Sequence, residues 1–263
     1  MTSLWVNCHI NTPAELPLGQ YYDTLVSVGT PLKTAMVYVG TVALWSAINR
    51  KSTAKPSPSG PGLKAFVVLH NALLMVFSFL SFYHSAWVLS RIVADEGSFT
   101  EKYCDVKGTY WSSGFFYWGW LFYLSKYYEM IDTAIILVKG RIPSLLQTYH
   151  HAGAIIGMWF FVSTNSPGLW IFLNLNSFIH TIMYSYYIFT TLGYNPPGKK
   201  YITYMQIAQF FVGSFFAASY LAIPGCTSAM QGYSLIFNLS YVAPLIYLFY
   251  QFAQESYNKK KTA

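Results

Sequence analysis

The chain has 263 residues, of which 54% are hydrophobic, 19% aromatic and only 10% charged, with a formal net charge of +7. A soluble domain carries about 25% charged residues, so an ordinary soluble fold is excluded and the chain belongs in lipid. The positive charge does not imply nucleic-acid binding, because no basic face with aromatic stacking positions stands clear of the apolar runs.

Residues 1–30 contain no Lys or Arg and are expected to lie on the lumenal surface, with no cleavable signal peptide. Apolar runs follow at Pro31–Asn49, Ala65–Ser90, Trp111–Val138, Ser144–Ser163, Gly168–Leu192, Tyr201–Ile223 and Tyr233–Phe252. Each reaches the ~20 residues that a bilayer core demands. They predict an all-α integral membrane protein with seven transmembrane helices. One membrane domain covers 31–252, and a basic cytosolic tail covers 253–263. Between the first two runs, residues 52–62 read as a flexible loop from their Ser, Pro and Gly content.

The connections fix the orientation. Arg50, Lys51, Lys55 and Lys64 fall in the first, Lys139 and Arg141 in the third, and Lys199 and Lys200 in the fifth, while Lys259, Lys260 and Lys261 close the chain. The positive-inside rule puts these in the cytosol and the N-terminus in the lumen. Lys260 and Lys261 stand at the fourth and third places from the carboxyl end and resemble the dilysine retrieval signal of endoplasmic reticulum membrane proteins. Cys8, Cys104 and Cys226 fall on the lumenal side, which permits disulfides, and a Cys104–Cys226 bridge is expected. Asn238-Leu239-Ser240 is a formal glycosylation sequon, discounted because it sits inside a span.

Four polar stripes interrupt the apolar runs. Lys126, Glu129 and Thr133 line the first, with Asp132 at its edge. Gln147, His150 and His151 stand at i, i+3 and i+4, one helix face. Asn176, His180, Tyr184 and Tyr187 form a third, and Thr203, Gln206 and Gln209 a fourth. A charge at the centre of a lone span costs about 2.5–3.5 kcal/mol on insertion scales, so the stripes are expected to face one another. At 1.5 Å per residue, His150 lies about 10 Å in from Pro143 and Gln206 about 9 Å beyond Lys200. All four are therefore expected to meet in one chamber that opens to the cytosol.

The residue types suit acyl transfer. Neutral imidazole is a nucleophile and a proton carrier near neutral pH. Lys126, Glu129 and Asp132 neutralise one another, and Asn and Gln amides supply donors to a developing oxyanion. A purely structural role for the Lys–Glu–Asp group stands beside that reading, and His84, alone on an apolar helix, reads as a core residue. A metal site is not expected, because there are only six histidines and no paired Glu-x-x-His motifs. A seven-span receptor and a transporter are rival readings. The short cytosolic loops speak against the first, and the lack of repeats and broken-helix pairs against the second.

The chain resembles the ELO family of very-long-chain fatty acid elongases, the 3-ketoacyl-CoA synthases of the endoplasmic reticulum. The resemblance runs from the first span to the C-terminus. It is carried by Leu69-His70-Asn71, Lys126-x-x-Glu129-x-x-Asp132-Thr133, the box ending in His150-His151, Asn176-x-x-x-His180-x-x-Met183-Tyr184-x-Tyr186-Tyr187 and Thr203-x-x-Gln206-x-x-Gln209. One departure matters: Gln147 stands where the family's box, His-x-x-His-His, has its first histidine. That substitution fits a hydrogen-bonding role better than a proton-transfer role.

The resemblance implies condensation of a long-chain acyl-CoA with malonyl-CoA to 3-ketoacyl-CoA, CoA and carbon dioxide, with no cofactor. It implies a ring of six helices round a closed acyl tunnel, with one helix outside. His150 is then the acyl carrier, His151 orients or deprotonates, and His180 with Asn176 serves malonyl. Lys126, Glu129 and Asp132 shape the chamber, while Gln147, Tyr184, Tyr187, Thr203, Gln206 and Gln209 line the substrate path. Lys139, Arg141, Lys199 and Lys200 are candidates to hold the CoA phosphates. Implied partners are membrane lipid, the ketoacyl reductase, dehydratase and enoyl reductase of the elongation cycle, and a second copy in a homodimer.

Overall fold

The structure, a computed structural model, describes residues 12–51 and 60–258. Cys8, Lys55 and the Lys260–Lys261 pair lie outside the described residues. Among the described residues all regular structure is helical. After a short helix α1 (Tyr22–Val26) come α2 (Gly29–Lys51) and α3 (Pro61–Ala94), then the short α4 (Phe99–Cys104). They are followed by α5 (Phe116–Tyr128), α6 (Met130–Val138), α7 (Leu145–Ser163), α8 (Leu169–Leu192), α9 (Lys199–Ala222) and α10 (Ala229–Ala253).

Local chemistry sets the ends. Pro61 opens α3 at its first turn, where a missing N–H costs nothing. The Ser144 side chain accepts from the Gln147 N–H and caps α7, and Ser228 with Gln231 forms a capping box on α10. Gly193, at φ 101°, closes α8 in the left-handed conformation that glycine adopts without strain.

Among the described residues four helices are long and apolar enough to cross a bilayer: Gly29–Lys51, Pro61–Ala94, Lys199–Ala222 and the α10 stretch Ala229–Tyr257. Their outward residues, such as Val37, Leu44, Leu69, Phe211 and Phe215, are large, apolar and exposed, as lipid-facing positions are. The chain is a multi-pass membrane protein. The expected third run, Trp111–Val138, is not one continuous α-helix. It divides at Glu129 into α5 and α6, where the Asp132 N–H reaches back only to the Glu129 carbonyl. The Glu129 carboxylate is held there by the Lys126 ammonium and the Ser125 hydroxyl.

Packing joins α3 to α8, α8 to α9, α9 to α10 and α10 to α7, while α5 touches α7, α8 and α3. Helix α2 lies against α7 and α6. The main core gathers Trp120, Tyr123, Ile155, Phe161, Leu169 and Leu173, all fully buried. At one end a disulfide joins Cys104 to Cys226, 122 residues apart in sequence. Beside it the Tyr220 hydroxyl donates to the Tyr103 carbonyl. At the other end the Asn49 amide donates to the Leu137 and Arg141 carbonyls and ties α2 to the end of α6.

Candidate active site

The polar stripes meet. A cavity of about 420 Å³ opens at the end of the bundle opposite the disulfide, lined by Asp132, Gln147, His150, His151, His180, Tyr184, Tyr187, Thr203 and Gln206. A narrow apolar slot of about 60 Å³ lies deeper, between α5, α7, α8, α9 and α10. Phe122, Met158, Ile171, Phe172, Phe210 and Leu245 form its walls, with Lys126, Asn176, Gln209, Asn238 and Tyr241 among its polar groups. His150 lines both spaces and so stands at their junction.

Three hydrogen-bonded groups surround that junction. In the first, Lys126 Nζ lies 2.7 Å from Glu129 Oε1 and donates to Asn176 Oδ1 at 3.2 Å. Asn176 Nδ2 then faces His180 Nε2 at 3.1 Å. Because Asn176 Oδ1 is taken by the ammonium, its amide nitrogen is the donor and His180 Nε2 the acceptor. The His180 Nδ1 side looks toward Glu129 Oε1 at 4.0 Å. Lys126 also lies over the Phe122 ring at 3.8 Å. A lysine and a glutamate, each only 4% exposed, tolerate burial because each compensates the other's charge.

In the second group Asp132 Oδ1 lies 2.8 Å from His70 Nε2, and its Oδ2 accepts from the Tyr184 hydroxyl at 2.9 Å. This clamp ties α6 to α3 and α8. In the third, Gln147 Nε2 lies 2.8 Å from His151 Nε2 and donates to Thr133 Oγ1 at 3.2 Å, while the Tyr38 hydroxyl lies 2.8 Å from Thr133 Oγ1. Both protons of the Gln147 amide are thus used, and His151 Nε2 is the acceptor.

His150 differs from the other two. Its Nδ1 lies 3.1 Å from the Tyr241 hydroxyl, which also donates to the His150 backbone carbonyl at 2.9 Å. Its Nε2 has no hydrogen-bond partner among the described residues. So the Nε2 lone pairs of His151 and His180 are occupied by amide donors, and that of His150 is not.

The remaining expected residues fall as follows. Lys139 and Lys199 line the wider cavity at its rim; Arg141 and Lys200 are exposed nearby and are not part of its lining. Burial, with the Arg141 charge, holds the Lys139 ammonium below the ordinary lysine range. The Thr203 hydroxyl meets that of Tyr257 at 3.1 Å, and Gln206 donates to the Met183 sulfur. The Gln209 amide oxygen is buried without a hydrogen-bond partner among the described residues. His84 stacks on Trp118 at 4.6 Å. Asn238 is buried with its amide on the Gly157 and Ser234 carbonyls. Tyr38 and Tyr241 escaped the sequence reading. Each is one tyrosine among the chain's 23, although Ser234, Asn238 and Tyr241 stand at i, i+4 and i+7 on one face of α10, a polar stripe that could have found the second.

Comparison with known proteins adds a likeness over almost all of this architecture. The ELO profile, described as the GNS1/SUR4 family, matches residues 24–263. Fatty acid elongase sre1 of Dictyostelium discoideum is 31% identical over 194 residues, 73% of this chain and 70% of its own length. Fatty acid elongase A of the same organism is 30% identical over 210 residues, 76% and 74% of the two chains. Long chain fatty acid elongase 2 of Caenorhabditis elegans is 26% identical over 248 residues, 91% and 88% of the two.

Proposed function

The chain belongs to the ELO (GNS1/SUR4) family, and from that premise we propose that it is a fatty acid elongase working as a 3-ketoacyl-CoA synthase. It condenses a long-chain acyl-CoA with malonyl-CoA and releases CoA and carbon dioxide. His150 carries the acyl group as an acyl-imidazole. The observation that carries this reading is the uncommitted Nε2 of His150 at the mouth of the apolar slot. A nucleophile needs a free lone pair and a site that excludes bulk water, and the two neighbouring histidines spend theirs on amide protons.

The second substrate falls to the other side of the junction. Lys126, Asn176 and His180 form a linked donor set. Their place beside His150 suits the malonyl group and the enolate it becomes on losing carbon dioxide. Preorganised donors aimed at developing charge are usually the largest catalytic term. Asp132, clamped by His70 and Tyr184, and Gln147, clamping His151, position the wall. The alkyl tail takes the apolar slot.

The same premise supports the topology. We read α5 with α6, α7 and α8 as three further spans, seven in all, with α2 outside a six-helix ring. Taken singly, α5 and α6 are too short to cross because the break at Glu129 divides their run, and α7 and α8 carry the polar residues that face the chamber. The disulfide end then lies in the endoplasmic reticulum lumen and the chamber opens to the cytosol, where the basic residues gather. The 3-keto product requires reduction, dehydration and a second reduction elsewhere, so partner enzymes of those classes act next.

Incubating the purified protein with labelled malonyl-CoA and a series of acyl-CoAs tests the proposal. It predicts labelled 3-ketoacyl-CoA two carbons longer than the primer, with one carbon dioxide per turnover. Tight acyl-CoA binding without decarboxylation would instead favour a lipid receptor or transporter.

A further inference from the structure

We infer that Tyr241 is a positioning residue for His150: its hydroxyl fixes the imidazole tautomer so that the proton stays on Nδ1 and the Nε2 lone pair faces the substrate. This rests on the reading of His150 as the acyl carrier. The Tyr241 hydroxyl oxygen lies 2.9 Å from the His150 backbone carbonyl and 3.1 Å from His150 Nδ1. A carbonyl cannot donate, so the one hydroxyl proton must point at it. The tyrosine oxygen then faces Nδ1 with lone pairs only. Two attractive contacts result only if Nδ1 carries the imidazole proton. The other tautomer would leave two oxygens 2.9 Å apart with no proton between them.

Helix α7 is built to admit this contact. A Cβ at Gly153 would overlap the Tyr241 ring, and one at Gly157 would overlap the Asn238 amide. Gly153 and Gly157 lie four residues apart on one face of α7, the small-residue spacing that lets two membrane helices approach closely. A reciprocal bond fixes the register: the Tyr149 hydroxyl donates to the Tyr241 carbonyl at 3.1 Å. Pro244, three residues on, has no N–H for the Ser240 carbonyl, so this stretch of α10 is held partly by side chains of α7.

The tautomer lock has a chemical consequence. When Nε2 attacks the thioester, an N–C bond forms and the C–S bond breaks, and CoA leaves as the thiolate. The acyl-imidazolium keeps its Nδ1 proton, which the Tyr241 oxygen accepts. Loss of carbon dioxide from malonyl-CoA gives the enolate, which attacks the acyl carbon. The C–N bond breaks and the imidazole returns neutral with the same Nδ1 proton. Tyr241 therefore supports the cationic intermediate with a neutral oxygen, where other enzymes use a carboxylate.

Two measurements test this. The ¹⁵N shifts of histidine-labelled wild-type protein, with the His150 signals assigned by their loss in His150→Ala, report which nitrogen is protonated. The expected result is a protonated Nδ1 and a bare Nε2, and a bare Nδ1 would overturn the inference. In Tyr241→Phe, which keeps the ring against Gly153, single-turnover acylation by acyl-CoA alone should slow about tenfold, the worth of one hydrogen bond, with the His150 shifts moving toward the other tautomer. Wild-type acylation rates and unmoved shifts in that variant would overturn the inference while leaving His150 as acyl carrier. Absence of an acyl adduct in active wild-type protein would overturn the carrier reading instead, and the shifts alone would then decide whether Tyr241 sets the tautomer.

Discussion

At the scale of single residues, the chamber is a set of polar groups that largely occupy one another, and of its three histidines only His150 keeps its Nε2 free of an amide donor among the described residues. Lys126 is central, because it touches Glu129 and Asn176 at once. Removing one partner of a buried pair strands the other charge, at a cost of about 3–5 kcal/mol, whereas removing both is often nearly neutral. Lys126→Met should therefore lower the melting temperature of the detergent-solubilised protein strongly, and the double variant Lys126→Met with Glu129→Leu should recover much of that loss. Both should be inactive in condensation. Equal melting of the single variant and the wild type would show that the pair contributes nothing to the fold. Spacing alone brought Gln147 with His151, and Asn176 with His180, onto common faces. It could not show which nitrogen each amide occupies, since donor direction depends on Lys126 and Thr133 from other helices.

At the scale of elements, the apolar runs located the long helices to within a few residues. Ser144–Ser163 became Leu145–Ser163 and Gly168–Leu192 became Leu169–Leu192. Trp111–Val138 was harder to read, because nothing in a run of apolar residues reveals that a buried glutamate takes up the turn at 129. The contribution of α10 was also hidden. Its tyrosines look alike in sequence; Tyr241 shares a face with Ser234 and Asn238, and the gap left by Gly153 on α7 receives its ring. The other end of the bundle offers a cleaner test of an element. The Cys104–Cys226 bridge closes a loop of 122 residues and fastens α4 to the α9–α10 turn, far from the chamber. Replacing both cysteines by serine should cost about 2–4 kcal/mol of stability and leave the turnover number near wild type at low temperature. A lost turnover number with unchanged melting would mean that this end of the bundle controls the chemistry.

Across the whole molecule, a wide polar chamber leads from the basic rim to His150, and a narrow apolar slot leads on from it. Lys139 and Lys199 stand on the rim, where the phosphates of CoA would pass. A bound phosphate would restore the proton affinity that burial and Arg141 take from Lys139. Changing Lys139 and Lys199 together to Gln should raise KM for acyl-CoA severalfold, with kcat little changed and the salt dependence of KM reduced. An unmoved KM would reduce these lysines to topology markers. The most direct test of the account is intact-mass analysis after incubation with acyl-CoA alone. The account predicts one added acyl group on the wild type, mapped to His150, no adduct on His150→Ala, and an adduct that persists unreacted on His180→Ala when malonyl-CoA is then supplied. An acyl adduct on His150→Ala, or condensation by a wild type that never carries one, would contradict it.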